Sequence, residues 1–376
     1  MSNKIQNQYT PDYVSPPGET LQEILEERGM SQAELAERTG RPKKTINEII
    51  NGKAAITPET ALQFERVFNI PASFWNNRER RYREFLAQQE EKERLKKQVA
   101  WLQEIPVKAM IKSGWIRRYP DKVEQLREVL NFFAVASPEQ WEGIWCSTYV
   151  DFRKSQAFQS QPGAMAAWLR QGEIEAAQIH CATYNANKFR EVLLEIRTLT
   201  VKSPEIFQPE LVRLCAQTGV AVVFIPELPK ARASGATRWL NPHKALIQLS
   251  LRYKTDDHLW FAFFHESGHI LLHGKRDVFL EGKGVAAVED LAKEEEADKF
   301  AADILIPPIE LKRFIASGQQ RSKAGIEQFA TEMGIAPGIV VGRLQHDGIL
   351  PHTHCNDLKH RFEWVLDELE SSSFDD

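Results

Sequence analysis

Apolar residues recur at helical spacing through the first part of the chain. From residue 19 to about residue 85 they fall three or four positions apart, as in LQEILEE, which places them on one face of a helix. Ser31 and, three residues later, Glu34 form a capping box that starts a second helix. The pattern predicts a compact all-α domain over residues 19–85, preceded by a flexible polar arm over residues 1–18.

A charged stretch and further helical periodicity follow. Residues 78–100 are dense in Lys, Arg and Glu, which predicts a long solvated helix. Tryptophans recur as far as Trp168 and supply bulky core positions, and the sequence between them carries no catalytic motif. We expect residues 86–205 to form a helical linker or middle domain.

The pattern changes to that of strands after Pro209. The segment GVAVVFIPEL is rich in β-branched residues and bounded by Gly and Pro, and SGATRWL and KALIQLSL predict two further strands. An extended substrate could add to ALIQLS as an extra strand. Two helical segments follow, one with HESGH and one with EEEADKFAAD. The fold class is therefore multidomain α+β, with a C-terminal domain over residues 206–350 and a polar, acidic tail over residues 351–376.

Composition narrows the classes of function. The 376 residues include 48 Lys and Arg against 52 Asp and Glu, a net charge of −4, which excludes a uniformly basic protein but permits a local basic patch. The four cysteines form no CxxC pair, which argues against a disulfide framework and a cysteine zinc ribbon. No signal peptide or apolar span of membrane length is evident. We expect a cytoplasmic protein with no membrane partner.

The segment His265-Glu266-Ser267-Gly268-His269 is an HExxH motif. On a helix, His265 and His269 project from one face and can share a zinc ion. Glu266 can reach a water bound to that ion and take its proton. Apolar residues flank the motif on both sides, as is typical of a buried active-site helix. The alternative is a surface helix with two exposed histidines.

A catalytic zinc site needs a third protein ligand and an open position. Lys275 stands where the longer HExxHxxGxxH motif has its third histidine, which excludes that class. His273 lies near the same helix face as His269. It is better suited to contacting a zinc-ligating histidine than to binding zinc itself, because Gly274 follows and the helix is expected to end there.

A better candidate for the third ligand lies in the later helical segment. Glu294, Ala297 and Asp298 share one helix face, and the small alanine lets that face approach the motif helix. Glu294 can then bind zinc while Asp298 accepts a hydrogen bond from a ligating histidine. Glu296 remains an alternative ligand. The three consecutive glutamates could instead simply complement the dipole of a helix N-terminus.

These residues carry a family resemblance. FHESGHILLH followed by EEEADKFAADILIP resembles the ImmA/IrrE metallopeptidases, which pair HExxH with a later Glu-x-x-Ala-(Asn/Asp)-x-Phe-Ala helix, and the resemblance covers about residues 206–310. It implies a zincin-like fold and a gluzincin-like endopeptidase that cleaves a repressor or a related protein. It also implies a Zn²⁺ site of His265, His269 and Glu294 with Glu266 as base, and Asp298 stands where Asn is common.

Residues 32–51, QAELAERTGRPKKTINEIIN, have the pattern of a helix-turn-helix. Gly40 suits the turn and Ile46 suits the core between the two helices, and such a unit places the start of its second helix in the major groove of DNA. The alternative is an ordinary helical hairpin with a charged, solvated face. We expect DNA contacts from polar residues around this start: Gln32, Arg41, Lys43, Lys44, Thr45, Asn47 and Lys53.

The wider segment of about residues 15–76 resembles HigA-type antitoxins of the Cro/C1 (XRE) repressor family. The resemblance rests on SPPGETLQEILEERGMSQAELAERTGRPKKTINEIINGKAAITPETALQFERVFNIPASFW. It implies binding to a double-stranded operator, usually as a homodimer. A toxin partner is known in the family.

Two functions remain open. One is a DNA-binding transcriptional regulator fused to a zinc-dependent endopeptidase, which hydrolyses a repressor-like protein or itself in a stress, phage-defence or toxin–antitoxin context. The other is a non-enzymatic HigA-like antitoxin or repressor whose zincin-like domain acts as a sensor or toxin-binding surface. The intact HExxH with Glu294 and Asp298 favours the enzyme.

Overall fold

The computed structural model describes residues 14–146, 162–231, 233–274, 279–280 and 288–365. Contacts between Cα atoms divide the chain into two compact units, Met1–Val99 and Ala100–Asp376. The boundary expected at residue 85 lies inside a helix of 27 residues, Ala72–Gln98, and the first unit extends to the end of this helix. Its dense charge keeps this helix solvated, as the sequence predicted.

The N-terminal unit is a helical domain around one apolar core. Leu21, Ile46 and Phe64 are fully buried, and the ring of Trp75 packs edge-on against that of Phe64 with centroids 5.2 Å apart. The helices are α1 (Pro17–Glu27), α2 (Gln32–Thr39), α3 (Lys43–Ile50), α4 (Pro58–Phe68) and α5 (Ala72–Gln98).

The arm expected over residues 1–18 is too long by at least two residues. Pro17 begins α1, where its fixed φ suits the first helical turn, and both Pro17 and Gly18 are buried. A Cβ on Gly18 would lie 2.2 Å from the carbonyl oxygen of Ile49, so a glycine is needed where α1 crosses the end of α3. Residues 1–13 lie outside the described residues.

The second unit combines helices with a small sheet. Before the sheet come α6 (Val107–Lys112), α7 (Lys122–Phe133), α8 (Pro138–Trp141), α9 (Pro162–Gln178), α10 (Ala186–Arg197) and α11 (Pro204–Ala216). The strands are β1 (Val220–Phe224), β2 (Gly235–Asn241), β3 (Lys244–Leu249) and β4 (Phe279–Leu280). The remaining helices are α12 (Asp256–Leu272), α13 (Val288–Leu305), α14 (Pro308–Ala316), α15 (Lys323–Met333) and α16 (Pro337–His346).

The helices that precede residue 205 share the core of the sheet. The indole N–H of Trp168 on α9 donates to the carbonyl of Ile225 at 3.1 Å, and the Gln248 side chain on β3 donates to the carbonyl of Trp168 at 2.7 Å. Phe189 and Leu193 of α10 are fully buried in the same cluster as β1 and β3. Two helices that were expected in a separate middle domain thus cover this sheet.

The strands lie in the order β1-β3-β2-β4. β1 runs parallel to β3, with Val222 opposite Ile247, while β2 runs antiparallel to both β3 and β4. Since β3 is hydrogen-bonded on both sides, the expectation that ALIQLS adds a substrate strand is wrong. Its backbone groups are already used within the sheet.

The tail expected from residue 351 is folded as far as residue 365. The side-chain amide of Gln345 donates to the carbonyl of His354 and to Oδ1 of Asn356, both at 3.0 Å. Phe362 contacts Phe207 with ring centroids 5.6 Å apart, and its backbone N–H donates to the carbonyl of Lys254 at 2.9 Å. Residues 351–365 therefore form a C-terminal segment that packs against the end of α16 and the start of α12. Residues 366–376 lie outside the described residues.

None of the helices within the described residues combines the length and apolar character needed to cross a bilayer.

Candidate functional site

The HExxH motif lies in the second half of α12, a helix buried along most of its length. Asp256 and Asp257 occupy its first turn, where negative charge suits the helix dipole. His265 and His269 follow one helical turn apart, and only 2% and 1% of these residues is exposed. The buried histidines favour the active-site interpretation of the motif over the exposed surface helix.

α13 brings a carboxylate to both histidines. Oε2 of Glu294 lies 3.2 Å from Nε2 of His265, and its Oε1 lies 3.4 Å from Nε2 of His269. The two Nε2 atoms face each other at 2.9 Å. One donor atom from each of these three side chains lies within 4.8 Å of the other two, a spacing that one metal ion can bridge.

Small residues allow the two helices to approach this closely. Ala297 and Ala301 on α13 are fully buried, and a Cβ on Gly268 would lie only 3.2 Å from the Cα of Ala297. The alanine face that the sequence predicted on this helix is therefore the face in contact with α12. This contact turns Glu294 toward the histidines.

The protonation of the histidines fits a metal ion. Nδ1 of His265 lies 2.8 Å from Oδ1 of Asp298, and an ionised carboxylate can only accept, so Nδ1 carries the proton and Nε2 keeps its lone pair. Burial lowers the pKa of His269 to about 2, so this histidine is neutral at pH 7. Two lone pairs facing each other beside a carboxylate are a donor set that suits Zn²⁺.

His273 and Glu296 lie behind His269 rather than between the helices. Nδ1 of His273 is 2.9 Å from Nδ1 of His269, and its Nε2 is 3.2 Å from Oε2 of Glu296. The geometry thus places Glu294, and not Glu296, with the histidine Nε2 atoms. His273 is the first residue after α12, so the helix ends where Gly274 led us to expect.

Glu266 is fully buried next to β2. A Cβ on Gly235 would lie 2.7 Å from Oε1 of Glu266, so the missing side chain leaves the space that the carboxylate occupies. The hydroxyl of Thr237 donates to the backbone carbonyl of Glu266 at 3.2 Å. Sequence reasoning missed both residues. The only signal was a Gly in a predicted strand, which is typical of close approach by another group.

The helix-turn-helix is built as the spacing predicted. The hydroxyl of Ser31 accepts from the N–H of Glu34, and Gly40 adopts a left-handed φ of 67° at the turn. Ile46 is fully buried between the helices. This leaves the opposite face of α3 to solvent.

Most of the predicted DNA-contact residues lie on or beside that face. Lys43, Lys44, Asn47 and Lys53 are exposed, and Thr45 and Gln32 are half-buried. The side-chain amide of Asn47 donates to Oε1 of Gln32 at 3.4 Å, which ties the starts of α2 and α3 together. Asn51, which is not among the predicted DNA contacts, donates to the side chain of Asn47 at 3.2 Å.

Arg41, one of the residues expected to contact DNA, is held by side chains of α4. Its Nε donates to Oε1 of Gln63 at 2.6 Å and its guanidinium lies 3.7 Å from Glu59, both on α4. Only 21% of the side chain is exposed. Much of its charge is therefore engaged within the domain.

Comparison with known proteins identifies two domains. Residues 21–75 match a family model described as helix-turn-helix, and residues 215–345 match one described as IrrE N-terminal-like domain. Both predicted resemblances are confirmed. The chain joins a helix-turn-helix domain of transcriptional-regulator type to a metallopeptidase-type domain.

Similar proteins cover the chain only in part. Over 52 residues it is 42% identical to virulence-associated protein A of Dichelobacter nodosus, which is 14% of this chain and 51% of that protein. Over 61 residues it is 34% identical to the uncharacterized HTH-type transcriptional regulator YddM of Escherichia coli K12, which is 16% of this chain and 65% of that protein. The chain thus spans about half to two thirds of the length of these curated relatives.

Two solved structures are similar over short segments. One is an addiction module antidote protein of a HigA family from Coxiella burnetii, 29% identical, with a TM-score of 0.21 over 22% of this chain and 92% of that one. The other is a proposed antidote protein of a plasmid maintenance system from Nostoc punctiforme, also 29% identical, with a TM-score of 0.22 over 22% and 91% of the two chains.

Proposed function

We propose that this chain is a DNA-binding transcriptional regulator whose IrrE N-terminal-like domain is a zinc-dependent endopeptidase. The observation that supports the enzyme best is the convergence of His265 and His269 of α12 with Glu294 of α13, whose donor atoms lie within 4.8 Å of one another. The buried Glu266 lies on α12 beside the two histidines. A zincin-like site needs two imidazoles and a general base on one helix, and a third ligand such as a carboxylate.

In the proposed mechanism, His265, His269 and Glu294 hold Zn²⁺. When bound, the ion supplies Lewis acidity that polarises a peptide carbonyl and acidifies a water molecule. Glu266 takes the proton of the attacking water at its carboxylate and passes it to the leaving amine. Asp298 keeps the proton of His265 on Nδ1, so that its Nε2 remains a donor to the metal.

The proposed substrate is a protein with a regulatory role, either a repressor or a copy of this chain. The support is the linkage of a peptidase-type domain to a helix-turn-helix domain in one polypeptide, because that linkage brings proteolysis to an operator. The same proposal includes a cytoplasmic homodimer, since two-fold operators are read by dimers.

The DNA-binding part of the proposal relies on the exposed start of α3. Lys43 and Lys44 are the predicted phosphate contacts, and Asn47 is the predicted base contact, with Gln32, Thr45 and Lys53 around it. Arg41 has a smaller part, because it is held by Gln63 and Glu59.

A cleavage assay tests the enzyme. The full chain, loaded with Zn²⁺, is incubated alone and with a peptide library prepared from digested cell extract, and new termini are identified by mass spectrometry. We expect Zn²⁺-dependent cuts with the natural chain and none with Glu266→Gln, which retains the metal. Equal cleavage by both proteins would exclude the proposed mechanism.

The non-enzymatic alternative makes a different prediction in the same experiment. An antitoxin or repressor that uses the domain as a sensor or as a surface for a toxin would release no peptides. Zinc analysis separates the two forms of that alternative. A sensor would bind zinc and lose it in His265→Ala, whereas a purely protein-binding surface would bind none.

A further inference from the structure

A line of hydrogen-bonding side chains runs from His269 toward solvent. Nδ1 of His269 lies 2.9 Å from Nδ1 of His273, and Nε2 of His273 lies 3.2 Å from Oε2 of Glu296. We propose that His273 and Glu296 form a relay that holds His269 in the tautomer able to bind the metal. The inference rests on the proposed function, because it concerns the same site.

The direction of the relay follows from what each group can donate. An ionised Glu296 only accepts, so Nε2 of His273 carries the proton that faces it, and a neutral His273 then presents a lone pair at Nδ1. That lone pair can only accept from a proton on Nδ1 of His269. The proton on Nδ1 leaves Nε2 of His269 as a lone pair, and this atom faces Nε2 of His265 and Glu294.

Without Glu296, nothing in this chain of hydrogen bonds fixes which ring nitrogen of His273 and of His269 carries the proton. His273 could then carry its proton on Nδ1 and donate to His269, which would place the proton of His269 on Nε2. In that tautomer Nε2 cannot bind a metal ion. Two hydrogen-bonded arrangements of similar geometry would compete, and only one of them binds the metal.

The two predicted zinc ligands, His265 and His269, are connected to their carboxylates in different ways. His265 is paired directly with Asp298 at 2.8 Å, whereas His269 is linked to its carboxylate through a second imidazole. The His273 side chain is only 4% exposed, but that of Glu296 is 64% exposed. His273 is thus a protected positioning residue, and the effect of Glu296 is expected to be smaller because water screens it.

Zinc affinity of the full chain, measured by competition with a chelator, tests the relay. Glu296→Gln keeps the size of the side chain, but its amide can donate as well as accept and no longer selects a tautomer. His273→Ala removes the acceptor. Glu295→Gln is the matched control, because it removes a neighbouring exposed charge that makes none of the described contacts with these histidines.

We expect His273→Ala to weaken zinc binding about 10–100-fold and Glu296→Gln about tenfold, while Glu295→Gln leaves it unchanged. Adding Glu296→Gln to His273→Ala should have no further effect, since the carboxylate acts only through the imidazole. His273→Gln should restore part of the affinity, because its carbonyl oxygen can accept from His269. The visible spectrum of bound Co²⁺ should keep its shape in every variant, since the ligands are unchanged.

Three results would overturn the relay alone: equal effects of Glu296→Gln and Glu295→Gln, additive effects of the two relay variants, or a changed Co²⁺ spectrum in Glu296→Gln. The last would make Glu296 a ligand. An unaltered zinc affinity in His265→Ala would overturn the proposed metal site and the relay together.

Discussion

The Nζ atom of Lys359 lies 2.6 Å from Oδ2 of Asp257, and the two side chains are only 10% and 7% exposed. The pair joins the C-terminal segment to the first turn of α12, the helix that carries His265 and His269. Lys359 also donates to Oε1 of Gln345 at 2.9 Å, so α16 belongs to the same network. The start of the motif helix is therefore held by a part of the chain that contributes no predicted ligand.

Lys359→Met should destabilise the second unit by up to about 3–5 kcal/mol, because it removes the lysine from the buried carboxylate of Asp257. The carboxylate keeps the imidazole of His258, whose Nδ1 lies 3.3 Å from Oδ1. Lys323→Met is the matched control. Lys323 pairs with Asp357 at 2.7 Å, but both side chains are more than half exposed, and we expect little effect. Urea unfolding followed by tryptophan fluorescence measures both variants. Similar losses in the two would show that burial of the Asp257 pair is unimportant.

Asp256 should make stability depend on pH. Burial, together with the charge of Asp257, raises the pKa of this carboxyl from 3.8 to about 6. Between these values the folded chain binds the proton more tightly than the unfolded chain. The contribution of this group to the unfolding free energy therefore falls as pH rises from about 4 to about 6.

Asp256→Asn removes that contribution while its amide oxygen can still accept from the N–H of Asp257. We expect the free energy of unfolding to rise by about 1–3 kcal/mol at pH 7.5 and to change little at pH 4. Unfolding by urea at both values measures the difference. A gain of equal size at both would contradict the assigned pKa.

Gly235→Ala should impair catalysis without removing the metal ligands. The added Cβ would lie 2.7 Å from Oε1 and 2.8 Å from Cγ of Glu266, so the carboxylate must shift. We expect kcat to fall on the order of 100-fold, with zinc affinity retained. In Gly143→Ala the new Cβ meets no atom within 4 Å, so this variant serves as the control. Normal turnover by Gly235→Ala would mean that Glu266 does not need its present position.

Replacing Lys43 and Lys44 together by Ala should weaken binding to a mixed-sequence DNA duplex. If each lysine neutralises one phosphate, the slope of log K against log salt should become less steep by about 1.8. Both residues are exposed, so the fold should be unaffected. Fluorescence anisotropy at several salt concentrations measures the slope, and an unchanged slope would exclude these two contacts. Lys188→Ala with Lys202→Ala, two lysines of the second unit, is the control for a general effect of charge.

The parts of the site that obey a local period were predictable from the sequence. The spacing of His265 and His269, and of Glu294, Ala297 and Asp298, is fixed by helical geometry, and each group lies on a face the spacing implies. Helix spacing and the resemblance both favoured Glu294 over Glu296 as the third ligand, which stays a prediction. Glu294 lies beside the two histidines because α13 buries Ala297 and Ala301 against α12.

Features that depend on contacts between distant segments were not predictable. Nothing in KALIQLSL indicates that β3 is paired on both sides, since that depends on where β1 and β2 are placed. Nothing near Arg41 indicates that Gln63 holds its guanidinium. The charge and histidine content of residues 351–365 is typical of a tail, whereas Lys359 and Phe362 are fixed by partners far away in the sequence.

The C-terminal segment also limits where a fragment of the peptidase-type domain can end. Because the family match ends at residue 345, a fragment designed from it would stop near Leu350. Such a fragment would lose the cation beside Asp257 and uncover the ring of Phe207, which Phe362 otherwise contacts. A shortened protein would therefore be prone to aggregate, and its inactivity would say nothing about chemistry at His265 and His269. Fragments meant to isolate the peptidase should extend at least to residue 365.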